Sequence, residues 1–449
     1  MNEWIGIVGL LVAIVFLIWG AFKGLAALPL SILGAAIVIL TNRMNWWDSF
    51  SVFYVEGYLS FFRSFLLIFI TSALYAKIME ETGSAVSIGY KFIDWFGAKR
   101  AVLIVVLTTA IMTYGGISLF VVIFAIAPII FLLFNEANLP RSFALGPLLI
   151  GSATFTMKSL PGSPSATNIV PTQFLGTDVN AGAMIGIISG LLMFIFGMLY
   201  LKWETKRLLK AGKGFEFIPG TDVSKYVVER SQLPSAFTSF LPMIVVVTII
   251  VGWGILIRRN AWETTAATTV VVAMSIASAL AIILNWEAVK NYKDGGLKGI
   301  LNTGTTGAVT AIAGPAAIVG FGGVVQNSPS FTIIVDYILG LEMHPYAMAA
   351  FAPSIIAGIT ASSSGGLIIT MQTLSDYFIE SGADLGTLHR ITAMFSGTFD
   401  SLPHSTSLFL MFGYLGVTHK EGYRYVWWGT TIIPTIVGLL TLAVLLIIS

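Results

Sequence analysis

Lys158, Asp400 and His404 are ionisable side chains set in otherwise apolar stretches of this sequence. A charge at the centre of a membrane helix costs roughly 2.5–3.5 kcal/mol on insertion scales, so its retention points to a function. Each stands in a short polar segment that carries proline, Lys158 to Asn168 or Asp400 to Ser407. The first segment adds Ser159, Gly162, Ser163, Ser165, Thr167 and Asn168, and the second adds Ser401, Ser405, Thr406 and Ser407. Hydroxyls can donate or accept, an amide does both, and glycines expose backbone N–H, which together suit a small oxygen-rich anion. A polyol or hydroxy acid fits this set better than an amine. Lys158 admits two readings, as partner of a substrate carboxylate or as structural partner of Asp400. Asp400 and His404 are the candidates for proton coupling. A histidine with its ordinary pKa of about 6.5 can carry a proton near neutrality, and a neutral hydrogen-bonding role is the alternative for His404.

Two further interruptions extend the candidate wall. Thr113, Tyr114, Gly115, Gly116 and Ser118 break the apolar run 101–134, and Thr360, Ser362, Ser363, Ser364, Gly365 and Gly366 break the run 346–379. Each break leaves two short arms, as in a re-entrant hairpin. Non-helical backbone survives at membrane depth only where it is buried in protein or lines a cavity, so the four interruptions are expected to converge on one anion site. The competing reading for the scattered glycines is close helix packing.

These segments need a scaffold, and the composition says which kind. The chain has 449 residues, 56% hydrophobic and 10% charged, where a soluble chain carries about 25% charged residues. The reading is an all-α polytopic membrane protein. Ser159-Leu160-Pro161-Gly162-Ser163 returns as Ser401-Leu402-Pro403-His404-Ser405, and Leu175-Gly176 returns as Leu415-Gly416. Gly115-Gly116 likewise returns as Gly365-Gly366. The shared order of spans, hairpin, broken helix and closing span implies two copies of one unit, 1–201 and 236–449, joined by a hydrophilic linker 202–235. About five crossings per unit, an odd number, make the second copy inverted. With the basic linker on the cytoplasmic side, 18 basic residues fall inside and five outside, among them Arg390 in an outer loop, with both termini outside.

Composition also excludes alternatives. A formal net charge of +2 without a basic aromatic patch argues against nucleic acid, and zero cysteines removes thiolate metal sites and cysteine nucleophiles. Gly320-Phe321-Gly322-Gly323 lacks the Lys-Ser/Thr of a P-loop, and neither a His-Glu-x-x-His nor a Gly-x-Ser-x-Gly motif is present. No enzyme activity, metal or cofactor is expected, and transport without ATP hydrolysis is secondary. His344, His389 and His419 are expected in solvated loops.

The stretch Thr154-Phe155-Thr156-Met157-Lys158-Ser159-Leu160-Pro161-Gly162-Ser163-Pro164, continuing through Asn168 and Pro171, resembles the gluconate:proton symporter (GntP) family of bacterial permeases. So does Asp400-Ser401-Leu402-Pro403-His404-Ser405, followed by Gly416-Val417-Thr418-His419-Lys420-Glu421. The likeness covers essentially the whole chain. It implies proton-driven uptake, across a bacterial plasma membrane, of a hydroxylated monocarboxylate such as gluconate, a related sugar acid or 3-hydroxybutyrate. It also implies a homodimer in the ion-transporter superfamily, with a scaffold domain and a transport domain of hairpins and broken helices that moves like an elevator. Lys158 departs from the family pattern, where a small polar residue is expected, and so does Ser405-Thr406 after His404. Two other readings remain: Na⁺ coupling through carbonyls and the Asn168 or Ser/Thr oxygens, and a non-transporting membrane scaffold or sensor.

Overall fold

The computed structural model describes residues 2–115, 119–163, 165–218, 230–258, 266–293 and 295–448. Helix is the expected outcome for a chain this apolar, because it satisfies every backbone N–H and C=O within its own segment. In chain order, α1 (Asn2–Phe22) and α2 (Ala27–Thr41) are followed by the short α3 (Trp46–Asp48), which runs through a π turn, Ser49–Tyr54, into α4 (Val55–Glu81). Next come α5 (Ser84–Phe96), α6 (Ala101–Tyr114), α7 (Leu119–Glu136), α8 (Leu145–Ala153), α9 (Ala166–Leu175) and α10 (Ala183–Lys210). After the linker stand α11 (Ala236–Arg258), α12 (Ala266–Leu284), α13 (Trp286–Lys290), α14 (Gly296–Gln326) and α15 (Pro329–Leu339). The chain closes with α16 (Pro345–Thr360), α17 (Ser363–Glu380), α18 (Leu385–Phe395), α19 (Thr406–Leu415), α20 (His419–Val426), a π turn Trp427–Ile432, and α21 (Ile433–Ile448).

Among the described residues six helices have the length and apolarity to cross a membrane: Trp4–Phe22, Trp46–Glu81, Leu119–Glu136, Ala183–Lys210, Gly296–Gln326 and His419–Ile448. With a seventh candidate made of α5 and the following helix, bent by 100° between them, they define a multi-pass membrane protein. Helix α2 has 15 residues, about 22 Å at ~1.5 Å per residue, short of a typical ~30 Å hydrocarbon layer. Its tight turn onto α1 still makes it part of the same apolar layer. Helices α5 and α15 fall outside the apolar runs read from sequence, because Lys91 and Asp94 in one and Asp336 in the other interrupt the hydropathy.

The long helices α4 and α14 lie against each other and form the spine. Their approach needs small residues: a Cβ on Gly57 would come within 2.7 Å of the Val319 carbonyl, and one on Gly320 within 2.9 Å of the Tyr54 carbonyl. Beside this spine, α6 packs with α7 and α8, and α16 packs with α17 and α18. Arms also cross between the halves, since α17 rests on α9 and α7 on α19. Lys158, Ser159, Ser163, Thr360, Ser401, His404 and Ser405 of the interrupted segments are buried by this packing, whereas Tyr114 at the first tip is 45% exposed.

Candidate functional site

The first break begins where α8 stops at Ala153. One π turn, Phe155–Ser159, follows, Leu160 is extended, the chain turns at Pro161-Gly162 with Gly162 at φ 76°, and α9 starts at Ala166. A break of this kind frees carbonyls that need partners in a dry interior. Met157 O accepts from the hydroxyls of Ser165 at 2.7 Å and Thr167 at 2.6 Å. Pro161 O accepts from the Tyr114 hydroxyl at 3.0 Å, which ties the first hairpin tip to this break. Ser163 O accepts from the Asn168 amide at 2.8 Å, and the Ser159 hydroxyl donates across to Gly186 O on α10 at 2.9 Å. In the π turn of the break, Thr156 donates to Gly151 O and receives the hydroxyl of Thr113 from the first hairpin at 3.0 Å.

The second break opens after α18 ends at Phe395 and closes at Thr406. Ser401 O accepts from the Tyr423 hydroxyl at 3.3 Å, and Pro403 O accepts from His419 Nε2 at 2.9 Å. His404 is fully buried and its Nε2–H donates to Gly358 O on α16 at 3.1 Å, which fixes the proton on that nitrogen. Its Nδ1 has no partner among the described residues. Ser405 lies 3.3 Å from Ser407 through their hydroxyls, and Thr406 is buried at the first turn of α19.

The two breaks meet at Lys158 and Asp400. Lys158 Nζ lies 3.0 Å and 3.2 Å from the two carboxylate oxygens and 2.9 Å from Gly397 O, so the ammonium is held by a full negative charge and a backbone carbonyl. Asp400 Oδ1 also accepts from the Ser401 hydroxyl at 2.8 Å. The lysine side chain is 4% exposed and the aspartate 13%. Gly397 makes room for this pair, because a Cβ there would fall on Lys158 Cδ, Cε and Nζ. Breaking such a pair by removing one partner costs about 3–5 kcal/mol, since the other charge is left buried.

Beyond the pair lies a network the sequence reading placed in solvent. His389 and Arg390 are fully buried on α18, and His419 is 6% exposed, whereas His344 is exposed and accepts the Tyr346 N–H at the start of α16. The solvated-loop expectation is thus corrected for His389 and His419, and the outer-loop placement for Arg390. A polar residue next to a helix end was read as a loop residue, but tertiary packing covers it. Asn168 gives both amide hydrogens to Ser163 O and Val179 O, so its oxygen must accept from His389 Nε2, at 3.1 Å. His389 is then neutral at Nδ1, which receives the Thr177 hydroxyl at 2.7 Å. Arg390 directs its guanidinium to the carbonyls of Ser159, Leu160, Val179 and Ala181, and so holds the end of the first π turn. The signal for both was the adjacency of two titratable residues to an apolar run.

The remaining candidate residues divide by role. Each hairpin docks on the break of its own half, through Thr113 and Tyr114 in one case and through Gly358 in the other. At the second tip, Thr360 donates to Ile356 O, Ser362 caps α17 through the Gly365 N–H, and Ser363 and Ser364 are half-buried. Gly366 serves packing, since a Cβ there would come within 2.5 Å of the Ala357 Cα. Gly115 ends α6, Gly162 takes a positive φ of 76°, and Gly116 and Ser118 lie outside the described residues. An open groove of about 440 Å³ beside the second break is lined by Leu402, Pro403, Tyr423 and Trp427, with Lys420 and Arg424 as its cations.

Apolar spans around two interrupted helices that meet at an ion pair define a helical multi-pass membrane protein with a polar interior junction. The chain belongs to the GntP family of permeases, whose family model matches residues 4–449. Among its relatives, an uncharacterized transporter of Bacillus subtilis, YxjC, is 30% identical over 448 residues, covering 92% of this chain and 93% of the relative. An uncharacterized transporter of Haemophilus influenzae is 21% identical over 80% of this chain and 79% of its own. A gluconate permease of Bacillus licheniformis is 24% identical over 69% of this chain and 72% of its own.

Proposed function

We propose that this chain is a secondary active transporter that takes up a small hydroxylated monocarboxylate together with a proton, by alternating access, across a bacterial plasma membrane. Gluconate, a related sugar acid and 3-hydroxybutyrate are the candidate substrates. The observation that carries the reading is the Lys158–Asp400 pair, a buried cation and a half-buried carboxylate where two broken helices meet. The similarity to a gluconate permease supports an anionic sugar acid as the substrate class. In this reading Lys158 and the polar wall bind the anion, while Asp400 and His404 are the groups that carry the proton.

Two inverted repeats, 1–201 and 236–449 about the linker 202–235, are part of the proposal. Supporting them, the hairpin α6–α7 and broken helix α8–α9 are followed in the second half by the hairpin α16–α17 and broken helix α18–α19. Both α9 and α19 end on a glycine in the left-handed region, Gly176 at φ 65° and Gly416 at φ 59°. Lys158 and Asp400 occupy equivalent places, each directly before a Ser-Leu-Pro, so the ion pair straddles the pseudo-symmetry axis. A homodimer in which hairpins and broken helices move as an elevator against a scaffold completes the reading.

Purified protein in proteoliposomes tests it. Labelled gluconate or 3-hydroxybutyrate is expected to accumulate when the lumen is alkaline and to leak out when a protonophore is added. Accumulation driven by a sodium gradient alone would assign Na⁺ as the coupling ion. Absence of counterflow for every labelled hydroxy acid in a panel would leave a scaffold or sensor.

A further inference from the structure

Lys158 already has a counter-charge. Its Nζ contacts Gly397 O and both oxygens of Asp400, so its charge is matched within the protein. Arg390, the other buried cation beside the first break, is fully occupied by the carbonyls of Ser159, Leu160, Val179 and Ala181, which are fixed parts of the backbone. Lys158 can change partners because one of its partners is a side chain. Any carboxylate arriving at the junction of the breaks meets a cation already neutralised by a carboxylate of its own kind.

We infer that the substrate carboxylate takes the place of Asp400 on Lys158, and that Asp400 leaves the pair as the protonated acid. This inference rests on the transport reading above and makes anion binding and proton binding one exchange. An ionised Asp400 displaced into the protein interior would keep only the Ser401 hydroxyl, a far poorer partner than an ammonium. A proton from solvent removes that penalty. The balance is simple: Lys158⁺ with Asp400⁻, plus one proton and one carboxylate, becomes Lys158⁺ with the substrate carboxylate and a neutral Asp400. The site is neutral before and after, and what crosses is one proton with one monoanion, without net charge.

The other described charged or titratable groups around Asp400 fit this assignment. Tyr423 on α20 donates to Ser401 O. His404, in the same segment, has its Nε2–H committed to Gly358 O. His419 donates to Pro403 O, and Arg390 lies behind the Ser159 carbonyl. Asp400 is the more exposed member of the pair, which gives the proton access.

The experiment uses wild-type protein and Asp400→Asn in proteoliposomes, with labelled gluconate and 3-hydroxybutyrate as probes. Wild-type accumulation should follow the pH gradient and stay unchanged when a potassium diffusion potential is imposed; a carrier moving one net charge would respond about tenfold or more at a resting potential. Wild-type binding should weaken about tenfold per pH unit once Asp400 is ionised in the free protein. Asp400→Asn should bind with no pH dependence and exchange substrate, but no longer accumulate it. Potential-driven uptake by the wild type, or accumulation by Asp400→Asn with unaltered pH dependence, would overturn the exchange while leaving proton-coupled transport standing. Should Asp400→Asn fail to fold, the two wild-type measurements decide. Sodium-driven uptake, or no uptake of either acid, would overturn the transport reading itself and the exchange with it.

Discussion

Lys158 and Asp400 are costly alone and cheap together, and that asymmetry is measurable. Lys158→Met is expected to lower stability by about 3–5 kcal/mol, seen as a lower thermal midpoint in detergent, because Asp400 is left buried without its cation. Adding Asp400→Leu should recover most of that loss while transport stays absent. If the double variant is as unstable as the single one, the pair is not what the lysine contributes. Gly397→Ala acts on the same pair from the backbone, since its methyl group would occupy the space of the Lys158 side chain; transport should fall to background with the ion pair sequences intact. His404→Gln keeps a donor near the position of Nε2, so the bond to Gly358 O can survive. The exchange at Lys158 places the proton on Asp400 alone, so uptake driven by a pH gradient should persist in that variant, and its loss would return His404 to the proton path beside Asp400.

At the scale of the element, the breaks are built structures with their own hydrogen-bond accounting. Ser165 and Thr167 both donate to the carbonyl of Met157, which has lost its helical partner. Either Ser165→Ala or Thr167→Ala should cost about 1 kcal/mol or less, because the other hydroxyl still satisfies the oxygen. The double variant should cost more than the sum of the singles, by roughly 1–3 kcal/mol for an orphaned buried carbonyl. Simple additivity in thermal unfolding would show that the two hydroxyls act elsewhere. The second hairpin tip carries a different stress: Ala361 closes α16 at φ 54°, a conformation that costs a residue with a Cβ about 1–2 kcal/mol. Ala361→Gly is expected to raise the thermal midpoint.

Across the whole molecule the halves are joined at more than the breaks. Glu204 near the end of α10 is fully buried between Arg207 at 2.6 Å and Arg424 of α20 at 3.4 Å, a link from the start of the proposed linker to the second proposed repeat. The proposed orientation places the turn at Asp178 outside and the linker at Lys213 inside. Both residues are exposed, and the chain has no cysteine of its own. Single variants Asp178→Cys and Lys213→Cys should therefore react with an impermeant thiol reagent from opposite sides of the membrane. Labelling from the same side would end the five-crossing scheme.

Composition alone determined that this chain lives in a bilayer, because 10% charged residues cannot clothe a soluble protein of this size. The polar breaks at Lys158 to Asn168 and Asp400 to Ser407 were legible as well, since proline and clustered hydroxyls stop an apolar helix locally. Partners were not legible. That Lys158 pairs with Asp400 depends on segments brought together from distant parts of the chain, and that Ser165 and Thr167 share the Met157 carbonyl depends on the turn between them. His389, Arg390 and His419 show the same limit: local sequence placed them at helix ends, and only the packing of α18 and α20 against their neighbours buried them. Hydropathy is a property of each residue with its sequence neighbours, whereas burial and pairing belong to the assembled three-dimensional neighbourhood.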